Sequence, residues 1–270
     1  MVVEFDGRPF HGWQQQENAT SVQACLQSAL SQIEGTDVAV AAAGRTDAGV
    51  HAEAMLAHAD VDAARWQRSY KAYLHGCNSL LPDTIRVVGV RAVADDFHAR
   101  FDCRERVYSY RIWNRNTASS LHRWRHWWMP RRLDIDRMRE AADCCTGRMD
   151  FSALRAAGCQ APTAVRTIKM LSIEQHGYCI GITVSADAFL YHMVRNLVGN
   201  MVEVGSGKRS PESLSALLVS GDRSLGAATA PAHGLYFTDA VYDDFRATDV
   251  VADMHREHEL REDSGKTSHE

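Results

Sequence analysis

The segment AAAGRTDAGVHA, residues 41–52, places a carboxylate where a charge is unusual. Asp47 follows an apolar run and an Arg-Thr pair, and it stands two residues before Gly49. An aspartate beside glycine commonly forms a turn in which its carboxylate accepts a backbone hydrogen bond. The alternative is a nucleophile or a general acid/base on a loop that follows a strand, because rigid scaffolds often present catalytic groups there. The segment alone leaves both interpretations open.

Arg195 is a second charged residue in apolar surroundings, within AFLYHMVRNLVGNMVEV, residues 188–204. Its neighbours at helical spacing carry no carboxylate: Tyr191, His192, Val198 and Gly199. A buried guanidinium without a partner costs several kcal/mol. Arg195 therefore reaches solvent, bonds backbone carbonyls, or meets a carboxylate from elsewhere in the chain. A pairing with Asp47 would satisfy both groups and keep the carboxylate ionised.

A third feature is the segment HRWRHWWMPRR, residues 122–132, which contains four arginines, two histidines and three tryptophans. Arginine and tryptophan bind the phosphates and bases of unpaired RNA. The arginines favour nucleic acid, whereas we expect Trp127 and Trp128 in the core. Tyr108 and Tyr110 share one face of a strand, where an exposed tyrosine could stack on an everted base.

The composition argues against several classes of protein. The seven cysteines show no Cys-x-x-Cys spacing, and neither a His-Glu-x-x-His motif nor a phosphate-binding loop with lysine is present, so we expect a reduced protein without a metal or a nucleotide cofactor. No run approaches the roughly 20 apolar residues of a membrane span, which favours the cytoplasm. The net charge of -4 lies in the tail: residues 243–270 hold nine acidic and four basic residues, which leaves +1 for residues 1–242. A net charge of this size on residues 1–242 is compatible with RNA binding if the basic residues cluster on one surface.

Hydrophobic periodicity predicts the elements that must position these residues. In the first half we expect strands at 2–5, 38–43, 52–61 and 85–93, and helices at 20–33, capped by Thr20 and Gln23, and at 64–76. In the second half we expect strands at 107–113, 165–173, 178–186 and 234–242, and helices at 135–145 and 188–204.

The repeated order predicts an α+β protein of two similar, ferredoxin-like or RRM-like sheet-and-helix halves. Their strands would form a largely antiparallel continuous sheet, with helices on one side and a central cleft. We place the halves at 1–104 and 105–242. Residues 243–270 are expected to be an acidic, disordered tail because they hold few large apolar residues.

The chain resembles the tRNA pseudouridine synthase A family. The resemblance rests on blocks that occur in order over nearly all of residues 3–242: FDGRPFHGWQ, GRTDAGVHA, NSLLPD followed by DFHARF, RVYSY, GRMDFSALRAAGCQ, FLYHMVRNLVG and APAHGLYF. It implies an isomerase that converts uridine to pseudouridine at positions 38, 39 and 40 of the tRNA anticodon stem-loop. It also implies a homodimer that binds tRNA and uses no cofactor or metal.

The resemblance also assigns roles to four residues. Asp47 corresponds to the catalytic aspartate, Tyr108 to a base-stacking tyrosine and Arg195 to the arginine that pairs with the aspartate. Arg45 corresponds to a residue that displaces or holds the target nucleotide. The carboxylate could attack C1′ of the ribose, attack C6 of the base or remove a ribose proton, and the sequence leaves these three routes open.

Other functions remain compatible with parts of this pattern. A pseudouridine synthase with other RNA targets would share every block. A non-catalytic RNA-binding protein would need the basic clusters but no carboxylate, which repels phosphate. A nucleosidase or glycosidase would use an aspartate, usually with a second acid in place of an arginine.

Overall fold

The computed structural model describes residues 1–266 and shows a mixed α/β fold. These residues form ten β-strands and seven α-helices. The chain divides into two compact units, one made of Met1–Arg104 together with the residues from Thr238 onward, the other of Glu105–Phe237. Over residues 1–266, no helix has both the length and the apolar composition needed to cross a bilayer. The prediction of mixed sheet and helix is confirmed at this level.

The first unit contains four strands before its boundary. They are β1 (Val2–Phe5), β2 (Ala41–Ala42), β3 (His51–His58) and β4 (Ile85–Gly89). Strand β1 lies between β3 and β4 and pairs antiparallel with both, while β2 pairs antiparallel with β3. Val2, Val3 and Phe5 are buried, so β1 is the central strand of this group.

Strand β2 has two residues where the apolar run predicted six. The N–H of Val38 donates to the hydroxyl of Ser31, 2.9 Å away, and the N–H of Val40 donates to the side chain of Gln27 at 3.2 Å. These backbone groups are satisfied by helix side chains instead of a neighbouring strand, so the segment packs without pairing. An apolar run predicts burial here but not strand pairing.

Helix α1 (Val22–Glu34) is the amphipathic helix that the periodicity predicted. Its N-cap is Ser21, whose hydroxyl accepts from the N–H of Ala24 at 3.2 Å. The predicted cap at Thr20 is therefore wrong by one residue. Gln23 does not close a capping box, since its amide donates to the carbonyl of Val40 at 2.8 Å and so helps to hold the strand that precedes Asp47.

The predicted helix at 64–76 is interrupted. It is replaced by α2 (Ala63–Ser69), a π-helical turn (Ala72–Gly76) and α3 (Cys77–Leu80). The π-helical turn buries Tyr73, whose hydroxyl donates to Glu34 at 2.6 Å. π-helical turns are rare and occur mostly as single turns within α-helices, as this one does.

The segment that follows strand β10 (Leu235–Val241) is helical over Ala247–Lys266, as α7. Ala247 and Val250 are buried, and Val250 lies so close to Gly89 of β4 that a Cβ there would be 3.2 Å from it. The expectation of a disordered tail is therefore wrong for the beginning of this segment, because two buried side chains suffice to dock a charged helix. The part of the expected tail at 267–270 lies outside the described residues.

The second unit contains a larger group of strands. They are β5 (Glu105–Asn114), β6 (Trp127–Met129), β7 (Gly147–Asp150), β8 (Val165–His176), β9 (Cys179–Ala186) and the start of β10 (Leu235–Val241). Strands β5, β9, β8 and β7 are neighbours in that order and pair antiparallel, and β6 pairs parallel with β5. Its helices are α4 (Ile135–Ala142), α5 (Met193–Gly205) and α6 (Glu212–Ser220).

Two predictions for the second unit are corrected. Helix α5 begins at Met193, five residues later than expected, because His192 has a φ of 60°, which a right-handed helix does not accommodate. Trp128, expected in the core, is 43% exposed, and its indole N–H donates to the carbonyl of Arg115 at 2.9 Å. Trp127 is half-buried and makes an edge contact with the ring of Tyr110.

Candidate functional site

Asp47 lies on the loop between β2 and β3 in the first unit. Its carbonyl accepts from the N–H of Val50 at 3.1 Å and closes a turn, and the carbonyl of the preceding Thr46 accepts from the N–H of Trp13 at 3.1 Å. Asp47 is half-buried and Trp13 is buried. Asp47 is thus a turn residue through its backbone, and it also occupies the post-strand loop that a catalytic carboxylate requires.

Gly12 fixes the backbone of this loop from the opposite side. Its φ is +97°, and a Cβ at this position would lie 2.6 Å from the carbonyl oxygen of Thr46 and 3.2 Å from the carbonyl carbon of Asp47. Only glycine permits this approach. The turn in FDGRPFHGW therefore packs directly against the backbone that carries the Asp47 carboxylate.

The loop alternates between exposed and buried side chains. Arg45 is exposed, Thr46 is buried and Asp47 is half-buried. Within the described residues the hydroxyl of Thr46 has no hydrogen-bond partner. Arg45 and Asp47 therefore come together on one loop, two residues apart, and Thr46 anchors it.

His51, which follows the loop, has a structural role. It is buried, its Nδ1 accepts from the N–H of Gly7 at 3.2 Å, and the same nitrogen lies 3.3 Å from a carboxylate oxygen of Asp6. Burial opposes ionisation of Asp6, but hydrogen bonds from Arg8 outweigh it and lower the pKa of that carboxyl group. Among the described residues no group of three or more His, Cys, Asp or Glu side chains is arranged to hold a metal ion.

Arg195 lies in the second unit, as the third residue of α5. Its Nε donates to the carbonyl of Ala230 at 2.8 Å, and the N–H of Ala230 donates to the carbonyl of Arg195 at 3.1 Å. A backbone carbonyl is thus one partner of the guanidinium, as one of the three alternatives predicted. A cation in the first turn of a helix opposes the helix dipole, so helix stability does not explain its position.

A buried polar network holds the segment that Arg195 binds. The side chain of Asn196 donates to the carbonyl of Leu154 at 2.8 Å and accepts from the hydroxyl of Thr229 at 2.6 Å and from Arg223 at 3.0 Å. One turn later, Asn200 accepts from the N–H of Ala227 at 3.0 Å. Two asparagines on α5 therefore form hydrogen bonds with residues 227–229, directly before Ala230.

Gly199 makes the contact between α5 and this segment close. A Cβ on Gly199 would lie 2.1 Å from the carbonyl oxygen of Ala228. Sequence reasoning identified Arg195 but missed the residues that position it. The available signal was the pair Asn196 and Asn200, two amides one turn apart on an otherwise apolar helix, since buried amides require partners.

Tyr108 lies on β5 and is 8% exposed. Its ring makes perpendicular contacts with Phe189 and Phe237, with centroids 5.1 Å away in both cases. The exposed position considered from the sequence is not observed. Two residues on, Tyr110 is fully buried and its hydroxyl donates to the carbonyl of Pro231 at 2.8 Å. Strand β5 therefore supports the segment that also binds Arg195.

Burial raises the pKa of the Tyr110 phenol well above its ordinary value, although the nearby charge of Arg195 acts in the opposite direction. Tyr110 therefore stays a neutral hydrogen-bond donor. The structure thus brings Arg45 and Asp47 together in the first unit and assigns Tyr108 and Arg195 to the second. The pairing of Asp47 with Arg195 stays a prediction.

A family model described as tRNA pseudouridine synthase matches residues 1–102 and 141–243 of the chain. The chain belongs to the tRNA pseudouridine synthase family. The family resemblance and the prediction of an RNA pseudouridine synthase acting on tRNA uridine are confirmed. Residues 103–140, which include Tyr108, lie outside the match to the family model.

Curated relatives cover the chain more completely. The tRNA pseudouridine synthase A of Nitrosomonas europaea is 42% identical over 90% of this chain and 88% of its own length. The protein of that name from Stenotrophomonas maltophilia is 44% identical over 90% of this chain and 94% of its own length. That from Rhodospirillum centenum is 44% identical over 90% and 98%, respectively. Relatives in the tRNA pseudouridine synthase family thus match the chain over nearly their whole length.

Proposed function

We propose that this member of the tRNA pseudouridine synthase family isomerises uridines 38, 39 and 40 of the tRNA anticodon stem-loop and that Asp47 is its catalytic carboxylate. The observation that carries the proposal is the fixed backbone of the Asp47 loop in a chain of this family. Catalysis gains from a side chain whose position is set before substrate binds. The hydrogen bonds at Thr46 and Asp47 and the close approach of Gly12 supply such preorganisation.

The reaction needs no redox chemistry and consumes nothing from solution. The bond from C1′ to N1 breaks, the base turns, and C1′ bonds to C5, while C5 loses a proton and N1 gains one. A carboxylate is sufficient for either a covalent route or a proton-transfer route. Asp47 would attack C1′, attack C6 of the base or remove a ribose proton, and all three roles place its carboxylate against the target nucleotide.

Three further residues complete the proposed site. Arg195 would pair with Asp47 and keep it ionised, with its Nε anchored to Ala230. Tyr108, which is only 8% exposed, would stack on the everted uridine once that base enters, and Arg45, which is exposed, would hold or replace that nucleotide in the stem. These roles require the two units to form ferredoxin-like halves of a continuous sheet with a central cleft. The active form would be a homodimer that needs no cofactor or metal.

The decisive experiment incubates unmodified tRNA with the protein and maps pseudouridine by carbodiimide labelling and primer extension. The wild-type protein should modify positions 38, 39 and 40, and Asp47→Ala should modify none. Asp37→Ala, which removes an exposed carboxylate of the same unit, is the matched control and should retain activity. Full modification by Asp47→Ala would refute the catalytic role. Release of free uracil would indicate a nucleosidase instead.

A further inference from the structure

The second unit contains a cavity that the proposed catalytic residues do not use. Its volume is about 450 Å³, which falls within the ordinary range for small-molecule sites. Six ring systems line it: Trp113, His122, Trp124, His126, Trp128 and His233. The ten lining residues include no carboxylate. The cavity therefore offers flat aromatic surfaces and no negative charge.

Trp124 is the least ordinary residue in this lining. Its side chain is 48% exposed, and its φ is 64°, a conformation that bulky residues rarely adopt. Backbone strain of this kind persists where the surrounding structure imposes it, and it clusters at ligand sites. The ring of Trp124 stands perpendicular to that of His233, with centroids 5.7 Å apart. An indole that is exposed in this way presents aromatic surface to the cavity.

Two arginines lie against the aromatic rings that line the cavity. The guanidinium of Arg123 lies 5.0 Å from the ring centre of Trp124, and that of Arg115 lies 5.3 Å from that of Trp113. Burial, assisted by the neighbouring His122, Arg111 and His233, lowers the pKa of His126 to about 4, so its imidazole is neutral at pH 7. Cations beside neutral rings suit a nucleotide, because the phosphate meets arginine while the base stacks.

The cavity adjoins the segment that positions Arg195. His233 lines the cavity and follows Ala230, which binds Arg195, and Pro231, which accepts from Tyr110. A ligand in the cavity would therefore lie near the segment that binds Arg195 and Tyr110. The lining residues Trp113 to Trp128 fall within residues 103–140, outside the match to the family model.

We propose that this cavity binds an unstacked nucleobase of the tRNA substrate, adjacent in sequence to the target uridine. The inference rests on the proposed function and extends it to a second subsite. Stacking tolerates any base, so such a subsite serves target positions with different neighbours. Its contribution is to hold the anticodon stem-loop open beside the everted uridine.

The test measures binding of an unmodified anticodon stem-loop and of stem-loops with one abasic nucleotide at each position flanking the target. Trp124→Ala retains the Cβ and should raise the Kd for the intact stem-loop about 5- to 100-fold. Trp124→Phe, which retains an aromatic face, should restore most of the binding. Leu121→Ala is the matched control, since Leu121 belongs to the same loop, is 88% exposed and does not line the cavity.

One abasic position should weaken binding to the wild-type protein and should have no further effect on Trp124→Ala. Wild-type affinity in Trp124→Ala, or equal additional losses at every abasic position, would overturn the subsite. If Trp124→Ala fails to fold, Trp124→Phe and the abasic series on the wild-type protein still test the subsite, because binding that is unaffected at every abasic position would overturn it. Pseudouridine formation by the wild-type protein is measured in parallel. Its absence rejects the proposed function, whereas its presence without a Trp124 effect rejects the subsite alone.

Discussion

Arg195 binds Ala230 through both its side chain and its backbone. The guanidinium Nε donates to the carbonyl of Ala230 at 2.8 Å, and the carbonyl of Arg195 accepts from the N–H of the same residue at 3.1 Å. This reciprocal pair ties the first turn of α5 to the segment that precedes β10. The guanidinium is thus oriented before any substrate arrives, which is the condition for an arginine that must hold a carboxylate in one geometry.

Arg195→Ala should fold and should lose activity about 100-fold or more, because a misplaced catalytic group costs rates of that order. Arg195→Lys should not restore the rate, since lysine has no Nε–H for Ala230. If Asp47 and Arg195 act as a unit, the double variant should be no slower than Asp47→Ala. Single-turnover rates on unmodified tRNA compare the single and double variants. If the losses of the two single variants multiply in the double variant, Asp47 and Arg195 act independently.

Thr229→Val should lower kcat, because it removes the hydroxyl that donates to Asn196 at 2.6 Å while nearly conserving volume. We expect a loss of about 1 kcal/mol in the free energy of unfolding. Thr229→Ser keeps the hydroxyl and is the matched control. A purely structural role would lower stability and leave kcat at its wild-type value well below the unfolding temperature, so urea unfolding and steady-state kinetics are needed together.

Gly12→Ala should abolish most activity, because its Cβ would displace the backbone at Thr46 and Asp47. Gly35→Ala is matched in backbone conformation, with a φ of +75°, but a Cβ there meets nothing within 4 Å. Both variants carry the strain of a positive φ, about 1 kcal/mol. Only Gly12→Ala should lose rate beyond its loss of stability. Equal effects of the two substitutions on pseudouridine formation would contradict the role given to this contact.

Stability should fall as the pH drops from about 6.5 toward 4, in part because of His126. Its pKa is lowered in the folded state to about 4, so the unfolded chain binds a proton in this window that the folded chain excludes. His126→Gln should reduce the loss in the free energy of unfolding over this pH range by about 1–2 kcal/mol, once solvent screening is allowed for. His176→Gln, at a side chain 83% exposed, is the control. Urea unfolding at several pH values measures both slopes. An unchanged slope in His126→Gln excludes this contribution.

The sequence predicted the position of the Asp47 loop more reliably than the bounds of the elements around it. Residue types alone placed Asp47 on a loop after a strand, and the pattern of charge within apolar surroundings singled out Arg195. The start of α5 could not be predicted, since His192 adopts a left-handed conformation that its residue type seldom requires. That single dihedral moved Arg195 from mid-helix to the first turn.

Other differences arise from partners that are distant in the sequence. Trp128 can remain exposed because its indole N–H has a hydrogen-bond partner in the carbonyl of Arg115. Residues 38–40 form hydrogen bonds with helix side chains instead of with a neighbouring strand. The grip of Asn196 on Thr229 spans 33 residues. Local periodicity reports burial and element type, whereas these contacts depend on which surfaces the fold brings together.

The first unit is assembled from both ends of the chain, with Glu105–Phe237 inserted between them. The N–H of Arg104 donates to the carbonyl of Val241 at 2.8 Å, and its guanidinium pairs with Asp243 at 3.0 Å, so the two stretches join where the insertion leaves and returns. During translation the inserted unit emerges from the ribosome whole, while the Asp47-bearing unit still lacks the part of β10 from Thr238 onward and α7. Nascent chains should therefore gain a folded second unit before the carboxylate-bearing unit is complete.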